Sequence, residues 1–231
     1  MSRPYIICHM MTSVDGRIDC AMTERLPGVE EYYDTLHELN APSRVSGRVT
    51  AELEMSSPGT FHSETQTPLE KEGFSKAVSA EGYEIVTDTH GTLLWNGTGG
   101  DENRPLLILT SEQASREYLD YLDGRRISWI ACGKDKIDLA RAAEILREQL
   151  GVKRLAVVGG GHINAGFLKA GLLDEVSILV GAGIDGRGGM SAVFDGLPDG
   201  YPVTPLSLTD VKQYKSGAVW LRYKLNNKSR R

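Results

Sequence analysis

The chemistry that residues 154–180, RLAVVGGGHINAGFLKAGLLDEVSILV, could carry is the binding of an anionic oxygen. Gly159, Gly160 and Gly161 follow an apolar run and precede a segment that puts Ile163, Phe167, Leu168 and Leu172 on one helical face. Glycine at a strand end admits φ > 0 and lets a ligand approach bare backbone. The N–H groups at the helix start, with the positive end of its dipole, favour phosphate or pyrophosphate. His162 and Asn164 add side-chain donors, so the cradle reads as Gly159, Gly160, Gly161, His162, Ile163 and Asn164. The plainer alternative is a tight strand-to-helix turn with no ligand. The usual dinucleotide pattern G-x-G-x-x-G is absent: from Gly159 it meets Asn164, and from Gly161 it meets Ile163.

Two further clusters hold chemistry-bearing side chains. Ser13, Asp15 and Arg17 follow the apolar run 5–11, at the carboxyl end of an expected strand, where open α/β sheets bind ligands. The alternative there is a loop with solvated charges. Gly47, Arg48 and Thr50 place a glycine, a guanidinium and a hydroxyl at an expected helix start, a second phosphate site unless Arg48 is simply a surface cation. The five histidines show no H-x-x-x-H or His/Cys ligand spacing, so no metal site is expected.

The elements that must position these residues alternate between strand and helix. A helix is expected at 28–39, with Val29, Tyr32, Tyr33, Leu36 and Leu39 on its apolar side. A short strand at 44–46 leads through Gly47 into another helix. Residues 55–82 read as a long loop with one helical turn at 69–78. Strands are expected at 83–86, from 91, at 106–109, 127–132, 155–158 and 175–180, with a turn or loop at 96–100. Thr110-Ser111 is expected to cap a helix over 112–122 closed by Gly124, and Asp138 to cap one running to Leu150. Residues 181–189, GAGIDGRGG, form a glycine-rich loop at the ligand edge of the sheet. Segments 203–214 and 219–225 flank a Lys215-Ser216-Gly217 turn and predict a closing hairpin; the tail from 226 is expected to be disordered. Repeated alternation implies an α/β fold with a mostly parallel central sheet and helices on both faces. No linker or repeat divides the chain, so a single domain spanning 1–231, with a core over about 5–225, is expected.

Bulk properties restrict the function classes. A net charge of −5 argues against a nucleic-acid or anionic-membrane binder, while leaving room for a local basic pocket. No apolar run is long enough to span a bilayer, and the start MSRPYIICHMM lacks a signal-peptide core. Cys8, Cys20 and Cys132 are odd in number and lack C-x-x-C spacing, as expected of reduced thiols in a cytoplasmic protein.

Taken together, S-V-D-G-R-I, G-R-V-T and V-V-G-G-G-H-I-N-A-G-F-L-K-A-G-L-L-D-E-V resemble the pyrimidine reductase family of riboflavin biosynthesis over nearly the whole chain. The resemblance implies a three-layer dihydrofolate-reductase-like fold and NADPH lying across the carboxyl edge of the sheet. It places Gly47, Arg48 and Thr50 at the cofactor phosphates, Thr110 and Ser111 near the adenosine end, and 160–164 at the pyrophosphate. It sets Ser13 and Asp15, the candidate catalytic residues, facing the nicotinamide and substrate. It further implies a homodimer that opens a phosphorylated pyrimidine substrate, a phosphoribosylamino-pyrimidine, to a ribitylamino product by hydride delivery to ribose C1′. Three departures concern the substrate side. Val158 stands where the family commonly has Glu, Met55-Ser56-Ser57-Pro58 where an A-D-D-P stretch is usual, and His9 where Lys is frequent. A reductase of a pterin or other small carbonyl compound on the same scaffold, or a nucleotide-binding protein without catalysis, is the alternative reading.

Overall fold

The computed structural model describes residues 2–97 and 104–226. In chain order the elements are β1 (Tyr5–Thr12), α1 (Cys20–Thr23), α2 (Val29–Glu38), β2 (Ser43–Gly47), α3 (Arg48–Glu54), β3 (Gly73–Ser75), β4 (Glu84–Thr87) and β5 (Leu106–Thr110). There follow α4 (Arg116–Gly124), β6 (Ser128–Ala131), α5 (Leu139–Glu148), β7 (Arg154–Val157), α6 (Gly161–Lys169), β8 (Glu175–Val180), β9 (Leu206–Gln213) and β10 (Val219–Leu225). This is the expected α/β arrangement, mostly parallel with a C-terminal antiparallel hairpin. The chain divides into two compact units, Met1–Pro4 with Pro42–Leu155, and Tyr5–Ala41 with Ala156–Arg231. Each unit is assembled from separated stretches, which is why composition shows no linker between them.

In the first unit the strand order is β3-β6-β5-β4-β2. Strands β2, β4, β5 and β6 pair in parallel, and β3 adds an antiparallel edge. Every residue of β5 is buried, as a parallel strand covered on both faces requires. Val86, Ile108, Tyr118, Leu122 and Trp129 form the centre of its core. Asp138 caps α5 as expected, its Oδ1 accepting the N–H groups of Ala140 and Arg141 at 3.0 Å each.

Three expectations for this unit need correction. The cap of α4 is Ser115, whose Oγ accepts from Tyr118 N at 3.1 Å, because Thr110 and Ser111 are drawn inward by the Thr89 carbonyl and the helix starts four residues later than expected. The helical turn at 69–78 is instead the strand β3, since Gly73–Ser75 finds an open sheet edge on β6. Residues 91–95 stay irregular, with one isolated bridge between Leu94 and Ser57, because the side chain of Asp88 takes the N–H groups of Thr92 and Leu93. Of the expected turn at 96–100, residues 98–100 lie outside the described residues.

In the second unit β1 pairs with β8 in parallel, β8 with β10 antiparallel, and β10 with β9 antiparallel. Ile7, Met11, Leu39, Leu179 and Trp220 pack beside them. Helix α6 ends on Gly171 at φ +69°, with Leu172 N bonded to Phe167 O and Gly171 N to Leu168 O, the paired bonds of a Schellman motif. Leu36 and Leu39, expected on the apolar side of α2, are buried, but Tyr33, expected there too, is 62% exposed, and Thr35 is buried in addition. The short α1 was not anticipated. The hairpin begins at Leu206 rather than 203, because the pairing with β10 runs out at Leu225 opposite Leu206. Of the tail, residues 227–231 lie outside the described residues. Cys8 and Cys132 are buried and Cys20 exposed, all as free thiols; burial pushes the Cys132 thiol up to about 12. Among the described residues no helix is long and apolar enough to cross a membrane.

Residues 63–65 of the long 55–82 stretch are held by one carboxylate. Glu117, in the first turn of α4, accepts from the hydroxyls of Thr65 (2.6 Å) and Ser63 (2.8 Å) and from the N–H groups of Glu64 (2.7 Å) and Thr65 (3.0 Å). The Thr65 hydroxyl above all, then the other three donors, lower its pKa from the ordinary glutamate value of 4.5 to about 2. A depressed folded-state value means that the clamp contributes in full above about 4.5 and is lost as pH falls toward about 2. Hydrogen exchange at Glu64 and Thr65 should therefore accelerate, beyond the intrinsic effect of pH, across that window. Glu117→Gln should already exchange fast at neutral pH, and unchanged protection in that variant would refute the clamp.

Candidate functional site

In the second unit the turn after β1 folds on itself. Ser13, 1% exposed, donates its hydroxyl to Asp15 Oδ1 at 2.7 Å and accepts from Arg17 N at 3.1 Å. Gly16 sits at φ +80°, which closes the turn. Asp15 reaches across to the glycine-rich loop and accepts from Asp185 N and Gly186 N at 3.0 Å each. The Ser13 hydroxyl first, then these two backbone donors, hold the Asp15 carboxyl well below the usual carboxylate range, although it stays solvent-accessible. Asp15 is thus an ionised acceptor that pins the 181–189 loop, helped by Val14 N on Gly183 O at 2.8 Å. Arg187 secures the same loop by pairing with Asp185 and with Asp19, the latter at 2.7 Å.

Between β7 and α6 the glycines have distinct reasons. Gly160 takes φ +78° and faces open space, with nothing within 4 Å of where a side chain would begin. Gly161 instead lies against the segment after the glycine-rich loop: a Cβ there would stand 2.5 Å from the Ala192 carbonyl oxygen. The turn is therefore open at Gly160 and backed by chain at Gly161. The N–H groups of Gly161, His162 and Ile163 have no acceptor within the helix, as at any helix start. His162 is exposed beside them, and Ile163 is half-buried. Asn164 is fully buried, donates to Val193 O at 2.7 Å, and keeps a buried Oδ1 with no donor among the described residues. This corner fits an anionic ligand: open glycine backbone, a helix start, and no side chain filling the Gly160 face.

In the first unit Gly47 ends β2 in extended backbone and α3 starts at once with Arg48. Arg48 bonds Glu52 at 2.5 Å and lies 4.0 Å from the buried Asp88 carboxylate, leaving the guanidinium about half exposed. Thr50 is half-buried in the first turn. Thr110 and Ser111 are fully buried, and both hydroxyls donate to Thr89 O, at 3.1 and 2.7 Å. Sequence reasoning missed Asp88, which organises this end of β4 by accepting from Thr92 N (2.6 Å), Leu93 N (2.8 Å) and the Tyr118 hydroxyl (3.3 Å). The T-D-T-H-G-T stretch at 87–92 carries the signal, an acidic side chain four residues before a threonine with glycine between. It missed as well the segment 190–196, whose only sequence cue is its position after the glycine loop.

The departures from the family pattern acquire surroundings. His9 is fully buried in β1, stacked on Tyr32 at 4.9 Å, with Nδ1 2.9 Å from Ser177 Oγ, which also receives Trp220 Nε1 at 2.7 Å. Val158 is half-buried against the cluster of Leu36, Ala41 and Ala156. Ser57 donates its N–H to Leu94 O at 2.8 Å.

The close seat of Gly161 makes a testable prediction. Gly161→Ala should destabilise the fold by about 1–3 kcal/mol, because backbone and not a flexible side chain must yield. Thermal unfolding reads this, and an unchanged midpoint would show that the Ala192 segment is not seated on α6.

Comparison with known proteins follows the same architecture. The 2,5-diamino-6-ribosylamino-4(3H)-pyrimidinone 5′-phosphate reductase of Aquifex aeolicus is 27% identical over 184 residues, 78% of this chain and 77% of the relative. The reductase of the same name from Methanothermobacter thermautotrophicus is 25% identical over 205 residues, 84% of this chain and 85% of the relative. Among solved structures, a pyrimidine reductase-like protein of Corynebacterium diphtheriae superposes with a TM-score of 0.71 at 17% identity, covering 96% of this chain and 92% of the other. The yeast riboflavin biosynthesis reductase Rib7 gives 0.62 at 16% identity, covering 96% and 90%. With a family match running from residue 4 to residue 220, the chain belongs to the RibD C-terminal domain family.

Proposed function

We propose that this protein is an NADPH-dependent oxidoreductase that reduces a phosphoribosylamino-pyrimidine intermediate of riboflavin biosynthesis to its ribitylamino form. The observation that carries the reading is the β7–α6 corner, where Gly160 leaves bare backbone open beside a helix start. Family membership and the names of the two relatives support the same reaction. The cofactor supplies the hydride. Gly159, Gly160, Gly161, His162 and Ile163 take its pyrophosphate on backbone N–H groups, with Asn164, whose own N–H bonds Gly160 O and whose amide holds Val193 O, packed behind them. Within the first unit, Gly47, Arg48 and Thr50 form a second candidate phosphate site, and Thr110 and Ser111 lie buried with both hydroxyls on Thr89 O. Preference for NADPH over NADH rests on Arg48, whose exposed guanidinium suits a 2′-phosphate.

Hydride adds at ribose C1′, the bond from C1′ to the ring oxygen breaks, and a proton goes to the oxygen released at C4′. Positive charge builds at C1′ as that bond loosens. Ser13 and Asp15 face this centre. Asp15 is already ionised and held by three donors, so it acts as a fixed anion steadying the cation and not as the proton source. The chain acts in the cytoplasm, consistent with three free thiols, and as a homodimer. The dimer is supported by β9, an edge strand exposed along all eight residues and carrying Leu206, Leu208 and Val211.

Calorimetry should show NADPH binding more tightly than NADH, and the reduced-nicotinamide absorbance should fall on adding the pyrimidine substrate. Asp15→Asn should lower kcat by about 10²-fold with NADPH affinity unchanged. Binding without any oxidation of NADPH would leave a nucleotide-binding protein, and turnover of pterins alone would reassign the substrate. Light scattering should give a dimer mass that Leu208→Lys halves; a monomeric wild type would overturn the assembly.

A further inference from the structure

One irregular segment, residues 190–196, is fastened to both halves of the site in the second unit. On one side Met190 O accepts Arg17 Nη1 at 2.7 Å, Ser191 O accepts Ile18 N at 3.1 Å, and Ala192 bridges Arg17 in antiparallel fashion. On the other side Val193 O accepts Asn164 Nδ2 at 2.7 Å and Asp195 N donates to Gly161 O at 3.1 Å. Inside the segment Asp195 Oδ2 accepts Ala192 N at 2.8 Å, which keeps it short and folded. Two glycines permit the close seat. Gly161 has room for no Cβ beside Ala192 O, and at Gly196 a Cβ would stand 2.8 Å from the His162 ring. Asn164 and Arg17 therefore hold the same strap from opposite sides, and Asn164 does so from full burial.

We infer that Asn164 and Arg17 are positioning residues joined through this strap. Asn164 fixes it to the phosphate cradle, and Arg17 hangs the Ser13–Asp15 turn on it. The inference rests on the nicotinamide reading of the site. The segment then sets the spacing between the bound hydride donor and the turn facing C1′. Hydride transfer is unforgiving of such spacing, since a displacement of about 1 Å can lower the rate by roughly 10²-fold. A mechanical link also means that losing either end loosens the same part, so the two losses should not multiply.

A double-mutant cycle on the full chain tests this. Asn164→Ala and Arg17→Ala should each lower kcat by about tenfold or more while NADPH affinity and substrate KM change little, and the double variant should fall no further than the worse single. Arg17→Lys should recover part of the rate, because an ammonium can still reach the Met190 carbonyl. Hydrogen exchange supplies a readout free of turnover: Asn164→Ala should speed exchange at Ile18 N–H, which bonds the strap. Should the alanine variant fail to fold, Asn164→Ser serves in the same cycle. Multiplying kcat losses with Ile18 exchange unchanged would overturn the strap, as would a loss of NADPH affinity alone in Asn164→Ala. If the wild type oxidises no NADPH, the functional reading fails, and Ile18 exchange alone then decides the mechanical link.

Discussion

A helix cannot satisfy the N–H groups of its own first turn, and the second unit is arranged around one place where that deficit is exposed and aimed. Strand β7 delivers the chain to Gly160, positive φ turns it, and α6 begins with its N–H groups beside open space. Everything that follows α6 keeps this corner in place. The Schellman closure at Gly171 returns the chain into β8, and β8 runs parallel to β1. That pairing brings the Ser13–Arg17 turn and the 181–189 loop to the same end of the two strands, because parallel neighbours finish together.

Carboxylates do much of the fastening. Asp15 holds the glycine-rich loop, Asp88 the chain after β4, Glu117 the long loop before β4, and Asp138 the start of α5. In each case a side-chain carboxyl oxygen collects backbone N–H groups that no helix or strand satisfies. The stretch at 63–65 can thus be irregular with the N–H groups of Glu64 and Thr65 paired.

Two positions that depart from the family pattern, His9 and Val158, are internally satisfied or packed among apolar side chains. His9 joins a buried network with Ser177, Thr35 and Trp220, and its ring stacks on Tyr32. Val158 adds to an apolar cluster under α2. A Lys at 9 or a Glu at 158 would bring a charge to these places, and a buried charge without a partner is costly. His9 and Val158 fit their surroundings as packing, and the turn after β1 keeps Asp15 and Arg17 as its charged groups.

Local signals were sufficient where one stretch of chain determines its own conformation. The apolar runs at β1, β5 and β8, the Asp138 cap, the glycine end of α6 and the strand–glycine–helix order at residues 154–169 were all legible, since each depends on near neighbours. The misread stretches were those settled by distant partners. Strand β3 exists because β6 offers an edge, Ser115 caps α4 because Thr89 has already drawn in Thr110 and Ser111, and Tyr33 faces water because α2 is rolled by its packing. Sequence alone could name Ser13, Asp15 and the three glycines as chemistry-bearing residues. Only the tertiary structure could decide that Asp15 is an ionised latch, that Gly161 is a seat for Ala192, and that Asn164 and Arg17 grip one segment. The physical reason is that hydrogen bonds between residues far apart in the chain leave no periodicity to read.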